Sequence, residues 1–198
     1  MNRRGQTVSP RMEVVAAANA DGTCDGGRLD DGLGFVPLQE GDLTVFYRQF
    51  LRVRTEPLFI DLFKPIPYQS VAQFTEYFSA GKRPLWLMGR PESPAAYFGL
   101  HYMLHQHDLA NLDFAYFADY PSPGSEVASS FWRYVRSCMV ERGLTRVQSF
   151  VIDSSVEKIR LLESFGFRQE GLLREHYFHN GKLHDVMVHA WMVEERRV

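Results

Sequence analysis

From Leu112 to the C-terminus the sequence reads as strand, long helix, strand, helix and hairpin. That order forces a parallel crossover into a sheet whose other connections are short, and few folds accommodate it. Leu112 to Ala118 is an apolar and aromatic run of strand length. Gly124 opens a helix in which Val127, Phe131, Tyr134, Val135, Cys138 and Met139 keep helical spacing up to Gly143. Arg146 to Ile152 reads as the next strand, and Ser154 or Ser155 caps a second amphipathic helix with Val156, Ile159, Leu162 and Phe165 inward, closed by Gly166. Phe167 to Phe178 and Leu183 to Val193 form a hairpin around His179, Asn180 and Gly181, where Asn-Gly is the strongest turn signal in the chain.

Upstream of this block the pattern is less regular. Residues 1 to about 32 are rich in Gly, Asp, Asn and Arg without apolar periodicity, which predicts a flexible leader before a single domain over 33–198. Phe35, Val36 and Leu38 make a short strand, and Asp42 caps a helix carrying Val45, Phe46, Phe50 and Leu51. Pro57, Pro65 and Pro67 require an irregular stretch, after which Ser70 begins a helix ending before Gly81. Pro84 to Met88 and Ala95 to Leu104 read as strands, with the polar segment Gln106 to Asn111 as a loop before Leu112.

Composition narrows the function classes. With 22 Lys and Arg against 24 Asp and Glu the formal charge is −2, so no global field holds nucleic acid, although a local basic groove around Arg133, Arg136, Arg142 and Arg146 stays open. A hydrophobic share of 45% excludes disorder over the whole length. No run approaches the ~20 apolar residues of a membrane span, which predicts no membrane partner. Cys24 and Cys138 alone make no disulfide framework and fit a reducing cytoplasm.

The element order, together with Gly166-Phe167, Glu170-Gly171, Leu173-Arg174-Glu175-His176 and Gly181 followed by Asp185-Val186, resembles the GNAT superfamily of acyl-CoA N-acyltransferases, nearest to its ribosomal-protein and amino-terminal branch. The likeness spans roughly residues 34 to 195 in element order, and its motifs are specific from about residue 120. It implies an α/β fold: a mixed, mainly antiparallel central sheet of about seven strands flanked by about four helices, with strands four and five splayed apart. Arg174 and Asp185 have a plainer reading as an ion pair across the hairpin.

The resemblance also implies a donor, acetyl-CoA or another acyl-CoA, whose pyrophosphate meets backbone amides at the N-terminus of the long helix. There the family pattern Arg/Gln-x-x-Gly-x-Gly/Ala aligns with Pro123 to Ala128, bringing Gly124, Ser125, Val127, Ala128 and Ser129 to the donor. Pro123 lacks an N–H and Glu126 replaces the glycine that admits phosphate, so the charge of Glu126 opposes a pyrophosphate there. Unpaired main chain at Phe117 and Ala118 is expected to meet the acyl group and the donor chain. In the helix after strand five the family pattern Asn-x-x-Ala/Ser-x-x-Leu-Tyr aligns with Ser155, Lys158, Leu161 and Leu162. Leu162 therefore replaces a tyrosine that in many members protonates the departing thiolate. Ser155 is either the proton source or an N-cap, and Lys158 either pairs with a phosphate or is a surface lysine.

Acyl transfer to an amine needs a base, an oriented carbonyl, oxyanion stabilisation and a protonated leaving group. Asp113 and Asp119 share strand parity and one face on strand four, and His176 is the alternative base, while Asp119 also reads as a turn residue. His101, His105 and His107, with His176, His179, His184 and His189, lack the spacing of a metal site, and no metal is expected. The leading expectation is acyl transfer, acetyl first, from acyl-CoA to a primary amine of a small molecule or a protein N-terminus by direct attack through a tetrahedral intermediate. The alternatives are a transferase with an aminoacyl-tRNA or carrier-protein donor and a catalytically silent binding module. The acceptor and the oligomeric state stay open.

Overall fold

The computed structural model describes residues 35–52, 70–79, 85–103, 106–179 and 181–192. The leader, the proline-rich stretch and the hairpin residue Asn180 lie outside the described residues.

Among the described residues seven strands form one sheet in the order β1-β2-β3-β4-β5-β7-β6. They are β1 (Phe35–Pro37), β2 (Leu85–Arg90), β3 (Ser93–Met103), β4 (Gln106–Tyr116), β5 (Arg146–Ile152), β6 (Arg168–His179) and β7 (Lys182–Met192). Every neighbouring pair is antiparallel except β4 with β5. The helices are α1 (Leu43–Arg52), α2 (Val71–Ser79), α3 (Glu126–Glu141) and α4 (Val156–Ser164). Asp42 does not cap α1 as expected: it ends a 3-10 turn over Glu40–Asp42 that leads into the helix. Ser70 does cap α2, accepting from the Gln73 N–H at 3.2 Å.

The predicted loop Gln106 to Asn111 is instead the first half of β4. Its polarity misleads because Asp108 and Asn111 bond across to the β5 side. The Thr145 N–H donates to the Asp108 carbonyl at 2.9 Å, the Thr145 hydroxyl to the Asp108 carboxylate at 2.8 Å, and Gln148 Nε2 to Asn111 Oδ1 at 2.9 Å. This polar half carries the whole parallel pairing to β5.

Strand alternation sorts the core into two faces. Phe114, Phe131, Val135, Met139, Leu161 and Leu162 pack between the sheet and the pair α3 and α4. Leu43, Phe46, Phe74, Leu87 and Tyr97 pack on the opposite face under α1 and α2. Farther along that second face, Phe150, Ile152 and Val186 form a smaller cluster. At the sheet edge β6 shifts register between Gln169 and Gly171 and again between Leu173 and Tyr177, and within the second bulge Glu175 holds φ at +48°.

Candidate functional site: the gap between β4 and β5

The parallel pairing consists of Leu109 with Arg146, Ala110 with Val147 and Asn111 with Gln148. Beyond that last pair both strands continue, β4 to Tyr116 and β5 to Ile152, so a gap opens between them. The Phe117 N–H donates to the Ala95 carbonyl at 2.9 Å, which turns the main chain of the odd-numbered residues toward β3. Alternation then turns the main chain of Leu112, Phe114 and Tyr116 toward the gap. The Phe117 main chain, expected to be unpaired, has its N–H spent on β3, and its ring packs on Phe46 and Tyr97. Ala118 is exposed beyond the end of the strand.

Lys158 and Asp113 meet at the apex of the gap. Lys158 Nζ lies 3.3 Å from Asp113 Oδ1, with both side chains 3% exposed. The Tyr97 hydroxyl donates to Asp113 Oδ2 at 3.3 Å. Asp113 shares strand parity with Asn111 and so belongs to the α1 and α2 face, whereas Lys158 starts from α4 on the other face. The lysine therefore crosses the sheet where the ladder has opened, its ammonium 5.0 Å from the centre of the Phe114 ring. Sequence reasoning places both residues at the site, but as a free base and a phosphate ligand. The structure joins them as one buried pair.

Past the end of β4 the chain turns into α3. Gly124 holds φ at +78°, and Ser125 caps the helix by accepting from the Ala128 N–H at 3.3 Å through its hydroxyl and from the Ser129 N–H at 2.9 Å through its carbonyl. Glu126, Val127 and Ser129 are exposed around this end, and Ala128 is buried. Below it Tyr116 is buried against the rings of Tyr120 and Phe131, and burial pushes its hydroxyl above the usual tyrosine range.

The remaining expected residues scatter. Asp119 lies in an exposed bend beyond β4, since the strand ends at Tyr116, and so is not a face neighbour of Asp113. His176 is exposed on the bulged part of β6. Ser155 occupies the N-cap position of α4 yet makes no side-chain cap bond. His184 instead is the buried histidine near this end of β5: its Nδ1 lies 3.0 Å from Asp153 Oδ1 and 3.5 Å from Ser154 Oγ. Only its i and i+2 relation to Val186 on a half-buried strand hints at this in the sequence. Arg174 forms no ion pair with Asp185 among the described residues; the carboxylate accepts from the Glu175 N–H at 2.7 Å and holds the bulge.

Three of the arginines near α3 have partners within the protein. Arg136 lies 5.6 Å over Trp191, Arg142 4.9 Å over Trp86, and Arg146 forms a two-pronged pair with Glu170. Among the described residues no group of three or more His, Cys, Asp or Glu is arranged to hold a metal, and no helix is long and apolar enough to cross a membrane.

No established family profile matches the chain. An uncharacterized N-acetyltransferase, YoaA of Bacillus subtilis, is 30% identical over 94 residues, which are 46% of this chain and 51% of that protein. The match thus spans about half the length of that relative. Among solved structures, the dodecameric spermidine N-acetyltransferase of Vibrio cholerae superposes with a TM-score of 0.64 at 18% identity, covering 82% of this chain and 95% of the other. RimL, a ribosomal L7/L12 α-N-protein acetyltransferase in complex with coenzyme A, superposes at 0.65 and 13% identity over 82% and 94%. With the splayed parallel pair and the order of elements, these likenesses establish that the chain has the fold of the GNAT N-acyltransferases.

Proposed function

We propose that the protein is an N-acyltransferase that transfers an acyl group, acetyl first, from acyl-CoA to a primary amine. The carrying observation is that β4 and β5 part after Asn111 and Gln148. The parting leaves the main chain of Phe114 and Tyr116 without a ladder partner on the β5 side. Such an edge offers donors and acceptors to an extended amide-bearing chain like that of CoA, as an additional strand would use them. The capped start of α3 lies just beyond the same end of β4, where the helix N–H groups favour the anionic part of the donor and the Glu126 carboxylate opposes it. When bound, the donor supplies an activated thioester; the chain supplies orientation, a dry apex and the Lys158 charge.

The acceptor is proposed as a small amine or a protein N-terminus, the two classes named by the spermidine and RimL neighbours. Glu126 and Pro123 favour a second reading in which the donor is not CoA-linked, because a carboxylate in the first turn of α3 repels a pyrophosphate. For a tRNA donor, Arg133 and Arg136 on α3 are exposed, whereas Arg142 stacks over Trp86 and Arg146 is paired with Glu170 at the surface.

Thermal unfolding with and without acetyl-CoA tests the proposal. Ligand at 100 times Kd stabilises the native state by about 2.7 kcal/mol, a shift of several degrees for a domain of this size. A shift together with release of free CoA thiol in the presence of amines supports acyl transfer. No shift in the wild-type protein, with a shift appearing in Glu126→Gly, identifies the carboxylate as the obstacle and favours the other donor. Failure of both proteins to respond refutes CoA binding.

A further inference from the structure

We infer that Lys158 is the acid that protonates the departing thiolate in the transfer proposed above, with Asp113 and Tyr97 as its positioning residues; the inference rests on that reading of the gap. Among the described residues Lys158 is the single buried lysine or arginine. It sits at the point where the β4 and β5 ladder ends, which is where a thioester entering between the strands must stop. A buried ion pair contributes little to a fold that an apolar pair would serve at least as well. Its position at the apex therefore calls for a chemical explanation rather than a structural one.

The chemistry of the reaction provides one. Attack on a thioester ends with negative charge on sulfur, and a cation held in a low-dielectric site stabilises that charge far more than water-exposed lysine does. Leu162, one turn along α4 on the same face, is fully buried and apolar, so that position has no proton to give. Lys158 has three N–H donors; Asp113 engages it from the other side of the sheet, and Tyr97 fixes Asp113. The roles of Asp113 and Lys158 are accordingly reversed from a base and a phosphate ligand. Asp113 holds the cation, and Lys158 meets the sulfur.

The step balances without a further reactant. The acceptor nitrogen forms a bond to the acyl carbon, the carbon–sulfur bond breaks with its electron pair going to sulfur, and sulfur takes a proton from Lys158 Nζ. The proton shed by the nitrogen passes to solvent, and the lysine regains one from solvent, so the products are an amide and a free thiol.

The test uses CoA itself and needs no acceptor. CoA is bound to the wild-type protein, to Lys158→Met, and to Lys158→Met combined with Asp113→Asn, and the bound thiol is titrated by the difference absorbance of its thiolate. The expected result is ionisation about one pH unit or more below free CoA in the wild type, a tenfold gain in thiolate, and ionisation at or above the free value in both variants. The paired variant removes both charges together and so keeps the comparison possible where the single change unfolds the chain. CoA binding with the same titration in wild type and paired variant overturns the inference and leaves the acyl-CoA reading standing. CoA failing to bind the wild type overturns that reading, and the inference with it.

Discussion

Replacing Lys158 by Met while Asp113 remains takes one member from a pair whose side chains are each 3% exposed. At 3.3 Å and an effective dielectric of about 20 the attraction between unit charges is about 5 kcal/mol. Breaking such a pair by removing one partner costs about 3 to 5 kcal/mol, because the other charge is left in the interior. For a chain of this size that corresponds to a fall in Tm of roughly 6 to 20 °C. Asp113→Asn alone strands the ammonium and is expected to cost a similar amount. The combined variant removes both charges and returns to within about 1 kcal/mol of the wild type, or exceeds it. Urea unfolding of the four proteins, followed by circular dichroism at pH 7, closes the cycle. Single variants within about 0.5 kcal/mol of the wild type, or a double variant equal to their sum, would show that the two groups do not meet and would refute the reasoning.

His189 is fully buried, and burial lowers its proton affinity despite the opposing pull of Glu163. The unfolded chain then binds more protons than the native state below about pH 6.5, so stability is full above that value and falls as the pH drops through it. Urea midpoints between pH 8 and pH 5 should show this slope in the wild type and a shallower one in His189→Leu, and parallel slopes would exclude the histidine as its source. Ser125→Ala removes the hydroxyl that accepts from Ala128 and should cost about 1 kcal/mol in the same assay; an unchanged midpoint would mean that the cap is replaced by solvent.

The sequence is most legible where side-chain period and turn chemistry agree. Strand β5 begins and ends at the expected residues, Arg146 and Ile152, and the Gly166 and Gly181 punctuation marks real ends, each with positive φ. Gln106 to Asn111 reads as a loop from its polarity, yet it is strand, with Asp108 and Asn111 bonded to Thr145 and Gln148 of the neighbouring segment. The site is less legible for a different reason. Asp113 and Lys158 are 45 positions apart on opposite faces of the sheet, and only the parting of two strands lets one side chain reach the other. The burial of His184 is not legible for a related reason: on its strand it follows the polar turn, and that burial depends on the end of β5 lying beside it. Asp119 and His176 carry titratable groups that the fold places past a strand end and on an exposed bulge.

The interrupted outer strand has a consequence for the protein in a crowded solution. A straight final strand would present an uninterrupted row of amides and carbonyls that any extended segment can extend. Here two register faults lie within Arg168–His179, and a left-handed residue, anchored by Asp185, sits inside one of them. A foreign strand laid along this border falls out of step within a few residues, so the protein has a built-in obstacle to edge-to-edge aggregation.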